Sequence, residues 1–265
     1  MSHYLRPVNL DDALAHLNAN SCTLLAGGTD FFPARVGKPI TEEVLDITGI
    51  KSLRYINSSE DHVKMGALTT WTDILRAKLP PAFDCLKQAA VTIGGIQTQN
   101  AATICGNICN ASPAADSVPN LMALDAKVKL ESIDQKRILT LEEFILGNRK
   151  TSIKENEIVT EIIFPNPSKN SFSNFEKLGT RAYLVISIVM IGVVAQLDEE
   201  EKILDLKISI GACSPVAKRL RLLEKEAVGQ KFNSLEIHSK YYESLEPIDD
   251  IRATSSYRNE VVPEL

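Results

Sequence analysis

The stretch Ala101–Asp116 reads AATICGNICNASPAAD, a run of small residues and short polar side chains. Gly106 lets a ligand approach the backbone closely, and Pro113 does not allow a helix to continue through it. Backbone N–H groups and short polar side chains can line an extended polar ligand without filling its space. The stretch therefore predicts a loop, which is either a ligand-binding loop or an ordinary turn region.

A second glycine-containing turn lies closer to the N-terminus. The pattern of Cys22–Ala26 predicts a strand, and Gly27-Gly28-Thr29-Asp30 follows it directly, with Phe31-Phe32 beyond as the start of a possible helix. A strand, bare glycine amides and a following helix together form a suitable cradle for an anion. The same tetrapeptide also fits a plain turn between a strand and a helix.

The length, composition and charge of the chain limit the classes of protein to which it can belong. The chain has 265 residues, of which 44% are hydrophobic and 24% charged, enough for one large domain or two to three subdomains. A net charge of −5 without a strong Lys/Arg cluster argues against nucleic-acid binding. The N-terminus has no apolar signal segment and Leu184–Leu197 is too short to span a membrane, so a cytoplasmic protein is expected.

Apolar periodicity predicts alternating helices and strands on both sides of a polar linker, Asn166–Ser171. Asn9 is expected to cap a helix that runs to about Asn18, and Ile158–Phe164 is expected to be a strand. The most basic run, Lys218–Arg221, is interpreted as a solvated helix face. Beyond the linker the predicted strands are Phe172–Leu178, residues 184–195 and Ile203–Gly211, and the predicted helices are Ser214–Ala227 and Ser234–Leu245.

The common catalytic motifs are missing. The sequence contains no Gly-x-Gly-x-x-Gly, no Gly-x-x-x-x-Gly-Lys-[Ser/Thr] and no Gly-x-Ser-x-Gly. The four histidines are isolated, and Cys105 and Cys109 form a weak pair for a metal or cluster. Two backbone cradles without acid–base or nucleophilic machinery suit a large phosphate-containing cofactor that carries the chemistry itself.

At five places the residues match the pattern of one protein family. The matching segments are Leu24–Asp30, Gln97–Asp116, Glu157–Ile162 followed by Pro165, Phe175–Arg181 and Ile251–Arg258. Through them the chain resembles the FAD-binding (medium) subunit of the molybdenum hydroxylases, the group of xanthine dehydrogenase and carbon monoxide dehydrogenase. The similarity covers nearly the whole chain.

The resemblance implies an α+β fold with a p-cresol methylhydroxylase-type FAD-binding domain. Two α/β subdomains, residues 1–54 and 55–166, would clasp FAD, and a C-terminal α+β domain of the CO dehydrogenase flavoprotein type, residues 172–265, would cover it. The resemblance also implies electron transfer from a [2Fe-2S] small subunit to FAD and on to an acceptor such as NAD. Molybdopterin would belong to a large partner subunit, and this chain would hold no iron–sulfur cluster, metal or catalytic residue.

The resemblance implies a set of FAD-binding residues. One side of the FAD phosphates would be wrapped by Leu24, Leu25, Ala26, Gly27, Gly28, Thr29, Asp30 and Phe31. The other side would be held by Ala102, Thr103, Gly106 and Asn107, and the extended part of the cofactor would be lined by Cys109, Asn110 and Asp116. Ile93 and Val159 would pack near the isoalloxazine or the adenine. Lys177 would approach the flavin ring, where a cation stabilises the negative charge of reduced flavin.

Two departures from the family pattern concern the cofactor directly. Cys105 stands where relatives usually have the first of two glycines, and Gln99 stands where they often have an arginine. These departures leave open an altered affinity for FAD, a different acceptor, or a scaffold subunit that has lost its flavin. A separate alternative is a stand-alone FAD-dependent oxidoreductase, although the sequence has no evident catalytic base or flavin-linking histidine near the loops.

Overall fold

The computed structural model describes residues 4–265. Residues 1–3, which belong to the N-terminal segment considered above, lie outside this range. Within the described residues the chain forms fourteen β-strands and nine α-helices. No helix in this part of the chain is long and apolar enough to cross a membrane.

The strands are β1 (Tyr4–Leu5), β2 (Thr23–Leu25), β3 (Val44–Asp46), β4 (Ile56–Ser58), β5 (His62–Gly66), β6 (Lys127–Glu131), β7 (Lys136–Thr140), β8 (Ile145–Gly147), β9 (Lys150–Thr151), β10 (Ile158–Pro165), β11 (Ser171–Leu178), β12 (Val189–Leu197), β13 (Ile203–Gly211) and β14 (Lys218–Arg219). The helices are α1 (Leu10–Ala19), α2 (Trp71–Arg76), α3 (Asp84–Thr92), α4 (Ile96–Ala101), α5 (Ile104–Asn110), α6 (Ser117–Ala123), α7 (Leu141–Phe144), α8 (Arg221–Ala227) and α9 (Ser255–Val261).

A small parallel sheet, in the order β1-β3-β2, starts the chain. Helix α1 begins where the sequence predicts, because the Asn9 side chain accepts a hydrogen bond from the Asp12 amide. Its apolar face buries Ala13, Leu14 and Leu17. Strand β2 ends at Leu25, so the glycine turn emerges at the carboxyl end of the sheet, where open parallel sheets place their ligands.

The second sheet has five antiparallel strands in the order β4-β5-β10-β6-β7. Strand β10 is its centre, and the register against β6 shifts between Val159 and Glu161. This bulge is held by Thr160, whose hydroxyl donates to the Glu131 carboxylate at 3.0 Å. A bulge re-aims side chains, and Val159 faces the cavity described below.

The third sheet, in the order β11-β12-β13-β14, forms its own apolar core with helix α8. Strands β11 and β13 confirm two of the predicted strands, whereas β12 begins only at Val189. The residues before it form a loop in which Leu184 has a φ of 51°. The mixed helix-and-strand architecture is the predicted fold class; the division into residues 1–54, 55–166 and 172–265 stays a prediction.

Several local predictions are wrong. The stretch Ala101–Asp116 is not a continuous loop, because Thr103 caps helix α5 by accepting from the Gly106 amide at 3.0 Å. The first half of Ser214–Ala227 is irregular or strand, and only its second half, α8, is helical. Ser234–Leu245 holds 3₁₀ turns instead of a helix.

The basic run Lys218–Arg221 is also not a solvated helix face. Arg219 is buried and donates to Glu224, Asp125 and the Met122 carbonyl. A buried guanidinium needs partners on all sides, and here distant parts of the chain supply them.

A buried arginine near the C-terminus connects three segments. The Arg258 guanidinium is 2% exposed and donates to the carbonyls of Ile188 and Ala212 and to Asp250. Burial alone would raise the pKa of Asp250, but hydrogen bonds from Arg252 and Ala253 and the charge of Arg258 lower it to about 2. The Ala212 amide in turn donates to the Pro113 carbonyl at 3.1 Å, so this contact reaches the stretch Ala101–Asp116.

We expect Asp250→Asn to lower the free energy of unfolding by about 1–2 kcal/mol at pH 7, because the ion pair with Arg258 is lost. The folded-state pKa of Asp250 lies below the unfolded value, about 3.9. Its contribution is therefore fully present above about pH 4 and is lost as the pH falls towards 2. Urea denaturation of both proteins between pH 7 and 2 measures this. A difference that stays constant over the whole range would contradict the assignment.

Candidate functional site

Two backbone segments cross at van der Waals distance. A Cβ placed on Gly27 would lie 2.0 Å from the Ala101 carbonyl oxygen, so only glycine fits there. Gly28 has a φ of +75°, and a Cβ on it would lie 2.7 Å from the Phe32 ring. The turn after β2 is thereby pressed against the segment that leads into α5.

The two segments line one cavity, which we call the front cavity, of about 440 Å³. Fifteen of the predicted cofactor residues lie on its wall. They are Leu24, Ala26, Gly27, Gly28, Thr29, Asp30, Phe31, Ile93, Ala102, Thr103, Gly106, Asn107, Cys109, Asn110 and Val159. Residues that are far apart in the sequence thus meet around one space.

The front cavity combines apolar and polar walls. Leu24, Ile93 and Val159 offer apolar surface, whereas Thr29 and Asn107 offer polar groups. The Asn107 carbonyl oxygen accepts from Ser117 at 2.5 Å, which leaves its NH₂ group to donate to a ligand. Such a cavity suits a molecule with an aromatic ring system and a chain of hydrogen-bond acceptors.

At the polar side of the front cavity, hydrogen bonds between side chains connect three elements. The Asn110 amide donates to Asp30 at 3.1 Å, and Arg149 donates to the Asn110 carbonyl oxygen. Arg149 lies at the tip of the β8–β9 hairpin with a φ of 56°, and its amide donates to the Ala111 carbonyl at 2.9 Å. The hairpin is therefore fixed against the end of α5.

Three predicted residues do not line the front cavity. Leu25 points into the core, where it is 7% exposed. Asp116 and Lys177 form a buried ion pair at 2.5 Å, with side chains 7% and 10% exposed. Asp116 also accepts from Thr92 at 2.9 Å and Ser187 at 2.5 Å. These three contacts occupy the oxygens of the Asp116 carboxylate, so Asp116 connects α3, β11 and the loop before β12.

Six residues that line the front cavity were not predicted from the sequence. They are Ile47, Ala67, Thr98, Cys105, Ile153 and Ile158. Most of them are small or apolar residues from separate elements, and only the fold brings them together.

The two residues that depart from the family pattern, Cys105 and Gln99, are both buried inside the protein. Cys105 is 3% exposed within a regular helical turn, and burial raises the pKa of its thiol well above the ordinary value. Gln99 is buried, and its amide donates to the Val91 carbonyl at 3.0 Å at the end of α3. Gln99 therefore completes a helix end instead of facing the front cavity.

A second cavity, of about 550 Å³, lies between Ser112–Ala114 and the C-terminal segments. We call it the arginine cavity, because Arg149, Arg252 and Arg258 lie on its wall. The Nε atom of Arg258 is buried without a hydrogen-bond partner among the described residues. Arg149 also bonds to Asn110 of the front cavity, so one pair of side chains connects the walls of both spaces.

Comparison with known proteins places the chain among flavoprotein subunits. Residues 1–167 match the family model described as the FAD binding domain in molybdopterin dehydrogenase, and residues 175–265 match the CO dehydrogenase flavoprotein C-terminal domain. The glyceraldehyde dehydrogenase medium chain of Sulfolobus acidocaldarius is 32% identical, with 99% of this chain and 94% of the relative covered. The putative xanthine dehydrogenase FAD-binding subunit of Escherichia coli K12 is 30% identical over 96% of this chain and 88% of the relative. A solved carbon monoxide dehydrogenase chain from Hydrogenophaga pseudoflava superposes with a TM-score of 0.90 at 26% identity, covering 99% and 93% of the two chains.

Proposed function

The chain belongs to the family of FAD-binding medium subunits of molybdenum hydroxylases, and from this premise we propose that it passes electrons from a [2Fe-2S] partner through FAD to an acceptor such as NAD. The observation that carries the proposal is the crossing at Gly27 and Ala101, around which both predicted loops line the front cavity. FAD supplies the redox chemistry when it is bound, and the chain supplies binding and orientation.

The residues on the wall of the front cavity fit FAD. Glycine at positions 27 and 28 leaves the backbone bare where a Cβ would meet other atoms, and the Asn107 NH₂ group is available as a donor. In our proposal the turn after β2 and the start of α5 hold the phosphates. Ile93 and Val159 pack against a ring of the cofactor. Asp116 and Lys177 act from behind this wall by fixing the elements that carry it.

The partners follow from the same family. We propose a [2Fe-2S] small subunit as electron donor and a molybdopterin large subunit as the place of substrate oxidation. The front cavity supports this division of labour, because Asp30 is its only charged side chain among the described residues. The other titratable groups on its wall are the thiols of Cys105 and Cys109, whose pKa values are raised by burial. One carboxylate beside two protonated thiols is a poor basis for acid–base catalysis on a substrate.

The arginine cavity supports an acceptor that carries phosphate groups. Arginine recognises phosphate through several directed donors. Two carboxylates also line this cavity: Asp250 pairs with Arg252 and Arg258, and Glu246 pairs with Lys218. Arg252 donates to Asp250 through Nη1 alone and is 33% exposed at its side chain, which leaves its other donors for a phosphate. NAD carries a diphosphate, whereas a quinone has none. We therefore propose NAD as the acceptor, bound against Arg149 and Arg252.

We expect the purified chain, or its complex with the partner subunits, to take up FAD and to show flavin absorption bands that bleach on reduction. The measurement is an absorption spectrum with and without added FAD, followed by reduction and then by addition of NAD or a quinone. Reoxidation by NAD would support the acceptor proposal. A folded complex that stays colourless with excess FAD would contradict the cofactor proposal, and turnover of a small substrate by the isolated chain would favour a stand-alone oxidoreductase.

A further inference from the structure

A separate cavity lies behind the crossing of the two loops. It has a volume of about 620 Å³, and we call it the rear cavity. Ala26, Gly27 and Thr103 form a wall that it shares with the front cavity. Its other side chains come from the segment after β3, the start of α2 and the end of α4: Thr48, Lys51, Arg54, Leu68, Thr70, Asn100 and Ala101.

The rear cavity contains two cations and no carboxylate among its described lining residues, Lys51 and Arg54 being the charged ones. Lys51 is exposed and has no ion-pair or hydrogen-bond partner for its side chain in the described part of the molecule. Arg54 binds Asp73 through Nε and Nη2 at 2.8 and 3.0 Å, which fixes the guanidinium and leaves Nη1 unused. The rear cavity therefore holds one uncompensated positive charge beside an oriented donor.

The uncharged polar groups of the rear cavity are also set up to donate. The Asn100 carbonyl oxygen accepts from the Thr72 hydroxyl at 2.6 Å, so its NH₂ group is left for a ligand. Thr48 and Thr70 accept at their hydroxyl oxygens from Arg6 and from the Asp73 amide, both at 3.2 Å, which leaves the hydroxyl hydrogens. Donors without a competing acceptor select an anion with several oxygens.

From this arrangement we propose that the rear cavity is a second anion site, which binds a small phosphate-bearing molecule through Lys51, Arg54 and Asn100. It is distinct from the FAD site, because the backbone of Gly27 and Ala101 separates the two spaces and leaves no room between them. The front cavity, in contrast, has no Lys or Arg on its described wall. The proposal rests on the fold and on these side chains, and it goes beyond the proposed electron-transfer function.

Inorganic pyrophosphate is the probe for this site. We expect calorimetric titration into the FAD-loaded chain, at an ionic strength held constant with chloride, to show saturable binding to one site. Lys51→Glu is expected to weaken this binding at least about tenfold, because it places a carboxylate in an anion site. Lys78→Glu is the matched control, since Lys78 is also exposed but lies outside the rear cavity; it should change the dissociation constant less than about twofold.

Three results would overturn the proposal. They are no saturable binding to the wild-type chain, equal loss in Lys51→Glu and Lys78→Glu, and loss of pyrophosphate binding whenever FAD is loaded. The last result would mean that pyrophosphate had entered the front cavity. Titration of the FAD-free chain keeps this test separate from the proposed function: a chain that does not take up FAD but binds pyrophosphate with the same dependence on Lys51 would refute only the cofactor proposal.

Discussion

Gly27→Ala is expected to lower the affinity of the chain for FAD by at least about 100-fold and to destabilise the fold by about 3 kcal/mol. The added methyl group would lie 2.0 Å from the Ala101 carbonyl oxygen and 3.0 Å from the Ala102 Cα. Both are backbone atoms, so no flexible side chain can move away to relieve the overlap. The turn after β2 must then separate from the start of α5, and the wall of the front cavity opens.

The measurements are a fluorescence titration with FAD and a urea denaturation curve. Gly147→Ala is the matched control, because a Cβ at Gly147 would meet nothing within 4 Å and its φ is not positive. The control should bind FAD like the wild type and should change stability by less than about 1 kcal/mol. Unchanged FAD affinity in Gly27→Ala would mean that the crossing does not form the cofactor site.

Asp116→Ala is expected to lower the free energy of unfolding by about 3–5 kcal/mol, because it leaves the buried Lys177 ammonium without a counter-ion. The two side chains are 7% and 10% exposed and 2.5 Å apart, so water cannot replace the lost carboxylate. The hydroxyls of Thr92 and Ser187 lose their acceptor at the same time. The contacts between α3, β11 and the loop before β12 therefore weaken together.

An exposed ion pair provides the comparison. Arg221 and Glu142 lie 3.2 Å apart with side chains 60% and 52% exposed, so Glu142→Ala should cost no more than about 1 kcal/mol. The double variant Asp116→Leu/Lys177→Met removes both charges and should recover a large part of the loss, because no unpaired charge stays buried. Similar losses in Asp116→Ala and Glu142→Ala, measured by urea denaturation, would show that the Asp116–Lys177 pair is not a structural centre.

Local sequence signals predicted the elements around the site well. Asn9 caps α1 as expected, because a side-chain oxygen at the N-cap satisfies an amide of the first turn wherever the helix lies in the fold. The two glycine-containing segments and most of the residues on the front cavity were also accessible from the sequence. Within each segment these residues are neighbours along the chain, and the glycines are restricted by backbone geometry.

Sequence-based prediction is limited where contacts between distant parts of the chain determine the local structure. Ser234–Leu245 has residues that suit a helix, yet it forms 3₁₀ turns. It buries Tyr241 and Leu245 in the core of the third sheet, and Leu235 is partly buried against that core. Distant contacts also decide the surroundings of Asp116, which pairs with Lys177, 61 residues further along the chain, inside the protein. Its assignment to the cofactor stays a prediction. Neither result can be read from the local sequence, because secondary-structure propensity is weak compared with the burial of apolar groups and the pairing of charges.

The sequence by itself determined the family resemblance, the two glycine-containing segments and the position of the glycines, because each of these depends on residues that are neighbours along the chain. Only the tertiary structure decided which side chains face the front cavity, that Asp116 and Lys177 pair inside the protein, and that Lys51 and Arg54 share a second space. The physical reason is that burial and charge pairing act between groups that are close in space. Such closeness is created by packing, and the order of residues does not show it.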